Sequence, residues 1–474
     1  MSVDEGPRLA VVHDWLTSRG GAERALEVIL GLYPRAPVYT LIYNPQLFAD
    51  SVISARPVRT SFLNRVPGAR THYRALLPLM PLAIEQLDLG GHEIVLSISN
   101  AVSHGVLTGP EQLHINYILT PMRYVWALQD EYLRSRPLRS PMRSALFRLL
   151  AHYLRLWDAA AAQHVDHFVA ISQWVRRRVW RAYRREAEVI YPPVDVERFQ
   201  PESPRGDYYI TVSRLVPYKR VSLLVEAFNR LSQPLIVVGD GPEGRRLRAK
   251  AGPSIRFLGW QSDADLAALL GRAKAFVFAA EEDFGIAPLE AQAAGCPVIA
   301  FGRGGVRETI LEGETGLFFE EPNAESLLSA IADFEADPRV FEAVRIRRNA
   351  ERFRRERFES QFRQMVEERW GKFVEGPGRE QQGRGRDEGR DRPPGGAGLG
   401  DHRSGRKAIP GDQAHLRFRA GYFVSASGSA FHGRGCAPDP DWLPRPGHHS
   451  PEPGRARGVG VRDAQVPDDA PGRR

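Results

Sequence analysis

Residues 281–305, EEDFGIAPLEAQAAGCPVIAFGRGG, hold a dense set of groups that could do chemistry. Glu282 and Glu290 stand eight positions apart, with Phe284-Gly285 between them. An apolar helical run continues to Gly295, followed by Cys296-Pro297 and the buried-strand pattern Val298-Ile299-Ala300. A strand, a glycine turn and an acid at the start of a helix form a nucleotide-holding edge in doubly wound α/β folds. Two acids at this spacing occur in many chains by chance. It is their setting in the whole segment that points to a ligand.

A second set lies upstream. Arg214 and Lys219 follow the apolar run 208–212 directly, in VSRLVPYKR, and precede a helical pattern that begins at Ser222. Two cations at a strand's C-terminal end, beside free backbone N–H groups, can hold a diphosphate. Taken alone, such a pair is more simply read as two solvated surface charges. Gly239-Asp240-Gly241-Pro242 is a tight turn at another strand end, where glycine lets the backbone approach a ligand. Ordinary turn chemistry explains that tetrad equally well. Phe257-Leu258-Gly259 closes a similar strand and is a candidate border for a nucleotide base.

These groups need a frame of alternating strands and helices. Residues 9–12, 94–99, 114–119 and 167–171 read as strands in the first half, with residues 22–32 helical after the loop Ser18-Arg19-Gly20-Gly21. Ser172 is a good N-cap for a helix over residues 173–183. Tyr191-Pro192-Pro193-Val194-Asp195 reads as a hinge, after which the pattern restarts with strands over 208–212, 235–238, 255–258, 275–279 and 297–300. Alternation of this kind predicts parallel, helix-covered sheets. The expected organisation is an α/β chain of two doubly wound lobes facing a cleft: residues 1–190, then 191–357. A helix over 358–375 packs back on the first lobe, and a tail over 376–474 is disordered or frameshifted.

The tail is rich in Gly, Arg, Pro and Asp, with a single lysine, Lys407, and cannot bury enough apolar surface to offset its ordering entropy. It carries 17 Lys/Arg against 12 Asp/Glu, which leaves 48 against 45 in residues 1–375. Most of the net charge of +8 therefore belongs to the tail, and a nucleic-acid partner is not implied. Two cysteines, Cys296 and Cys436, build no disulfide framework, and no Cys/His spacing suggests zinc. No apolar run approaches the roughly 20 residues a membrane span needs. The N-terminal MSVDEGPRLAVVHDW lacks the basic region and apolar core of a signal peptide, so a cytoplasmic location is expected.

Arg214 with Lys219, Gly239-Asp240-Gly241-Pro242, Phe257-Leu258-Gly259 and Glu282-x7-Glu290 together resemble the ordered signature of family-4 retaining glycosyltransferases with the GT-B fold. Gly20-Gly21-Ala22-Glu23 matches that family's first-lobe glycine loop. TVSRLVPYKRVSLLVEAFNR and LTPMRYVW look closer still to bacterial GDP-mannose-dependent mannosyltransferases that build surface polysaccharide, lipopolysaccharide included. The similarity runs over roughly residues 8–374.

The resemblance implies a donor site in the second lobe. Glu290 would accept from the ribose hydroxyls, Arg214 and Lys219 would neutralise the diphosphate, and Glu282 would sit at the donor sugar with the backbone around Phe284-Gly285. Gly20 and Gly21 would approach the phosphates, with Gly239 and Gly259 also on the donor side. The expected partners are a nucleotide-sugar donor and a lipid-linked glycan acceptor. No cofactor and no metal are expected, since two cations can replace a divalent ion. Candidates for the acceptor side are Asp14, Asn100, His104 and Arg123.

On that side the chain departs from its relatives. Leu119 stands where they carry a histidine before Thr-Pro-Met-Arg-Tyr, and Asn100 stands where a second is expected, with His104 four residues on. Alternatives to the mannosyl transfer are a UDP-sugar donor and a weakened nucleotide-sugar-binding homologue. An epimerase or phosphorylase on the same scaffold ranks below both, because no lysine context for pyridoxal is evident. Residues 132–157 mix Tyr132, Leu133, Phe147, Leu149, Leu150, Tyr153, Leu154 and Trp157 with Arg134, Arg136, Arg139, Arg143, Arg148 and Arg155. A basic helix with aromatic anchors can rest on an anionic membrane surface, here the inner face of the plasma membrane; a helix half-buried against the lobe is the plainer alternative.

Overall fold

A computed structural model describes residues 6–126, 141–202, 204–337 and 341–376. The tail, from residue 377 on, lies outside the described residues, as do Tyr132, Leu133, Arg134, Arg136 and Arg139 of the basic helical stretch.

Strands β1 (Leu9–His13), β2 (Val38–Thr40), β3 (Val58–Thr60), β4 (Ile94–Ser99), β5 (Leu113–Ile118), β6 (His167–Ala170) and β7 (Ala187–Val189) form one sheet. Its order is β3-β2-β1-β4-β5-β6-β7, and each pairing is parallel. A second parallel sheet has the order β10-β9-β8-β11-β12-β13. It is built from β8 (Tyr209–Val212), β9 (Leu235–Val238), β10 (Ile255–Gly259), β11 (Ala275–Phe278), β12 (Val298–Phe301) and β13 (Gly316–Phe319). The central strands are covered on both faces, which is why LAVVH, IVLSIS and AFVF read as nearly unbroken apolar runs. Winding reverses between β1 and β4 in the first sheet and between β8 and β11 in the second. These are the two places where such folds leave a crevice.

Helices α1 (Gly21–Leu32), α2 (Pro141–Ala161) and α3 (Gln173–Tyr183) cover the first sheet. Helices α4 (Val221–Leu231), α5 (Asp263–Arg272), α6 (Ile286–Ala293), α7 (Ala324–Ala336) and α8 (Ala343–Glu351) belong to the second lobe. α3 begins where its cap predicts: Ser172 Oγ accepts from Val175 N at 3.0 Å. One apolar cluster runs from Leu26 and Ile29 of α1 through Val194, Val196 and Phe199 of the linker to Phe276 and Phe284 of the second lobe. The lobes therefore share buried surface along the hinge side.

The final helix, α9 (Arg355–Glu375), crosses back to the first lobe. Phe358 and Phe362 stand edge-on to Tyr117 of β5, with ring centres 5.8 and 5.6 Å away. Two fully buried phenylalanines contribute about 1.5–3 kcal/mol each, enough to hold the helix on the first lobe.

Candidate active site

The crevice at β8 and β11 collects the second-lobe charges. The chain leaves β8 through Ser213-Arg214-Leu215 and turns at Pro217–Lys219 into α4. Lys219 Nζ reaches the Glu282 carboxylate, which stands on the loop after β11. The Lys219 ammonium also lies 5.6 Å from the Tyr218 ring centre and 6.0 Å from that of Phe278. Arg214 is exposed, and among the described residues no ion pair engages it. It is near enough to Tyr73 of the first lobe for its charge to act on that phenol. A lysine already ion-paired beside an uncommitted arginine is a basin for an anion at a strand's C-terminal end.

The glycine turns shape the wall of this basin. Gly239 adopts φ 114°, and a Cβ there would lie 2.3 Å from Ser213 O, so only glycine lets the turn press against the loop that carries Arg214. Gly259 closes β10, and the next amide, Trp260 N–H, donates to Asp240 Oδ2 at 2.8 Å. Gly285 forms the N-cap of α6. The Phe284 ring points away from the crevice into the hinge core, 5.7 Å from Tyr191 and 5.6 Å from Phe353. Only its backbone is left for a ligand.

Glu290 sits inside α6, nearly buried. Burial raises its carboxyl, and the guanidinium groups of Arg24 and Arg198 oppose that rise. Its Oε1 accepts from Arg24 at 2.6 Å and from Arg198 at 3.1 Å. Arg24 belongs to α1 of the first lobe, so this ion pair bridges the lobes. Beside it, Gly21 meets Ile286 so closely that a Cβ would fall 2.5 Å from Ile286 Cδ1. Gly20, one residue earlier, is the extended N-cap of α1.

The first-lobe candidates behave differently. Asp14 is fully buried, and its two oxygens accept four backbone N–H groups: Asn100 and Ala101 on Oδ2, Val102 and Ser103 on Oδ1, at 2.7–3.0 Å. The carboxylate fastens the β4 loop to the end of β1 and has no lone pair left for an acceptor. His104, expected to face the acceptor, is 1% exposed. Its Nε2 lies 3.3 Å from Asp158 Oδ1. Burial lowers this imidazole's pKa, but the neighbouring Asp158 carboxylate outweighs it, and the net shift is upward. Trp126 Nε1 and Tyr183 Oη donate to the same carboxylate, so His104 belongs to a buried polar cluster rather than to the cleft. Arg123 points across the seam: 3.5 Å from Asp283 Oδ2 and over the Tyr218 ring at 5.2 Å. Asn100 is part-exposed at the crevice edge. Leu119 packs partly buried against the core.

Several residues escape a reading by motif. Arg178 of α3 pairs with Asp283, Ser172 Oγ donates to Asp283 O, and Glu308 accepts from the first two amides of α3, Gln173 and Trp174, at 2.8 Å each. These bonds join the lobes across more than a hundred positions of sequence, which local pattern cannot reveal. Arg24 does leave a signal. A cation four residues into a helix opposes the macrodipole, so its place there asks for another partner.

Residues 194–353 match the family model described as glycosyl transferases group 1. The chain is 26% identical over 364 residues to a GDP-mannose-dependent alpha-(1-6)-phosphatidylinositol monomannoside mannosyltransferase of Mycolicibacterium smegmatis, covering 70% of this chain and 90% of that relative. It is 31% identical over 206 residues to a GDP-mannose-dependent monoacylated alpha-(1-6)-phosphatidylinositol monomannoside mannosyltransferase of Corynebacterium glutamicum, covering 37% and 54%. Among solved structures, sucrose-phosphate synthase from Thermosynechococcus elongatus superposes with a TM-score of 0.61 at 17% identity, over 76% of this chain and 98% of that one. Anabaena Alr3699/HepE in complex with UDP superposes with a TM-score of 0.58, also at 17% identity, over 76% and 100%. The second lobe is a glycosyl transferases group 1 domain, and the chain is a glycosyltransferase of the GT-B fold.

Proposed function

We propose that the chain transfers a hexose, mannose from GDP-mannose, to a lipid-linked glycan with retention of configuration. The observation that carries the donor half is the β8/β11 crevice, where exposed Arg214 and the Lys219–Glu282 pair stand at one strand edge. In this reading the bond between the sugar's anomeric carbon and the diphosphate oxygen breaks, and its electron pair leaves with the nucleoside diphosphate. Arg214 and Lys219 take up that charge, each worth about 3–4 kcal/mol by analogy with an oxyanion donor. The acceptor hydroxyl attacks the face the leaving group departs, and its proton passes to the departing phosphate oxygen. Glu282 and the backbone around Phe284-Gly285 hold the sugar, and Glu290 holds the ribose. GDP-mannose is supported by the stated activities of the two relatives.

A lipid-linked acceptor sets the enzyme at an anionic membrane surface. No helix among the described residues is long and apolar enough to cross one. Exposed Met142, Leu146, Leu149, Tyr153 and Leu156 follow one stripe of α2, with Arg148 also exposed, and support contact from the surface. A second reading, a nucleotide-sugar-binding homologue of weakened activity, is favoured by one observation. Leu119 and Asn100 replace the expected histidines, and buried His104 cannot stand in for them.

A thermal-shift panel of GDP, UDP, ADP and their sugars tests both. A ligand at 100 times its Kd stabilises by about 2.7 kcal/mol. Stabilisation by GDP and GDP-mannose, with transfer to a polyprenyl-linked glycan, is expected. Stabilisation by UDP alone overturns the donor, and binding without transfer selects the weakened homologue.

A further inference from the structure

We propose that Arg24 is a positioning residue that occupies Glu290 in the donor-free enzyme and yields it to the donor's ribose, while Arg198 stays behind the carboxylate. This rests on reading Glu290 as the ribose carboxylate. The two arginines share Glu290 Oε1 but differ in how firmly they are held. Arg198 has 18% of its side chain exposed, bonds Asp263 at 2.8 Å and lies over the Phe199 ring at 4.5 Å. Its neighbours Val196 and Phe199 are buried in the linker. Arg24 has 46% of its side chain exposed and reaches Glu290 from the opposite lobe.

Among the described residues its only other carboxylate neighbour is Asp263, at 3.6 Å, which is itself 62% exposed. A swing of the guanidinium toward Asp263 keeps Arg24 paired while it frees a lone pair on Glu290. The vicinal diol then supplies the replacement donors. Arg198 keeps the carboxylate charged through the exchange, because burial alone would favour the neutral form. The exchange also loosens the lobes. Arg24–Glu290 lies beside the Gly21–Ile286 contact, so a donor that displaces Arg24 releases one fastening of the first lobe as it enters.

The test is calorimetry of the full chain with GDP and with 2′,3′-dideoxy-GDP, or with the UDP pair should the panel select uridine. Arg24→Gln removes the competitor and is expected to tighten GDP about threefold, the scale of a half-exposed ion pair. The dideoxy compound, which has no diol to exchange for Arg24, should bind the variant and the wild type alike. Arg198→Gln, which leaves a buried carboxylate short of a charged donor, is expected to weaken GDP about tenfold. Equal or weaker GDP binding by Arg24→Gln overturns the exchange, as does equal tightening of both nucleotides. Glu290→Gln separates the underlying reading: if it binds GDP as the wild type does, Glu290 is not the ribose carboxylate. If neither nucleotide binds the wild type, that reading fails as well.

Discussion

The two lobes reverse their winding in the same way, yet the two crevices are finished differently. At β1/β4 the carboxylate of Asp14 turns inward and spends both oxygens on the amides of residues 100–103. At β8/β11 the carboxylate of Glu282 meets a lysine, and Arg214 is left exposed at the strand end. Four amides on one carboxylate make a rigid loop that has no capacity for a ligand. A cation with no ion pair among the described residues keeps its capacity for an anion. The difference teaches that the first carboxylate is committed to its own backbone, while the second edge leaves a cation exposed to solvent.

The comparison breaks if substitutions on the two sides have similar effects. The largest effect is expected in the second lobe. Lys219→Ala or Arg214→Ala should lower turnover by about 10²–10³-fold, with the near-ultraviolet dichroism unchanged; near-wild-type transfer by either would remove the donor assignment. Next comes Asp14→Ala, which strands buried amides and should cost about 3 kcal/mol of stability. A fall in melting temperature with unaltered nucleotide affinity sharpens the contrast, whereas lost nucleotide binding with an unaltered melting temperature reverses it.

His104 offers a smaller, pH-dependent effect. Its folded pKa lies above the ordinary 6.5, so the Asp158 pair contributes fully below 6.5 and fades as pH rises through the folded value. The stability gap between wild type and His104→Asn, measured by urea unfolding, should therefore be wider at pH 6 than at pH 9. A gap that does not change with pH would deny the ion pair. The smallest effect is expected at the surface. Leu149→Ser, at an exposed site of α2, should reduce co-sedimentation with anionic vesicles severalfold at low salt and leave the melting temperature within about a degree.

Much of the frame was legible because parallel strands buried on both faces leave unbroken apolar runs. β4 and β9 match their predicted spans, and α3 starts after Ser172 and ends at Tyr183 as its cap and periodicity predict. The strands that escaped are short. β2, β3 and β7 have three residues each, too few for a period, and β13 opens with Gly316, which reads as a breaker.

In the site, the pairing of Lys219 with Glu282 follows from placing two strand ends side by side. The inward turn of Asp14 and His104 does not, because it depends on Asp158 and on a loop that folds back, not on local pattern. Nor could the partners of Arg24 and Arg198 be chosen in advance. With 48 Lys/Arg in residues 1–375, only the closed chain shows which arginines meet Glu290.

The chain passes between the lobes twice, and the two passages touch. Val194 N–H bonds Phe353 O at 2.9 Å, Val194 and Arg354 form a single β-bridge, and the Tyr191 ring stands edge-on to Phe353 at 5.3 Å. Two strands of backbone tied at one point resist sliding and shear but permit rotation. The tie also places the start of the final helix beside the linker, so the segment that returns to the first lobe leaves from the point where the chain first entered the second.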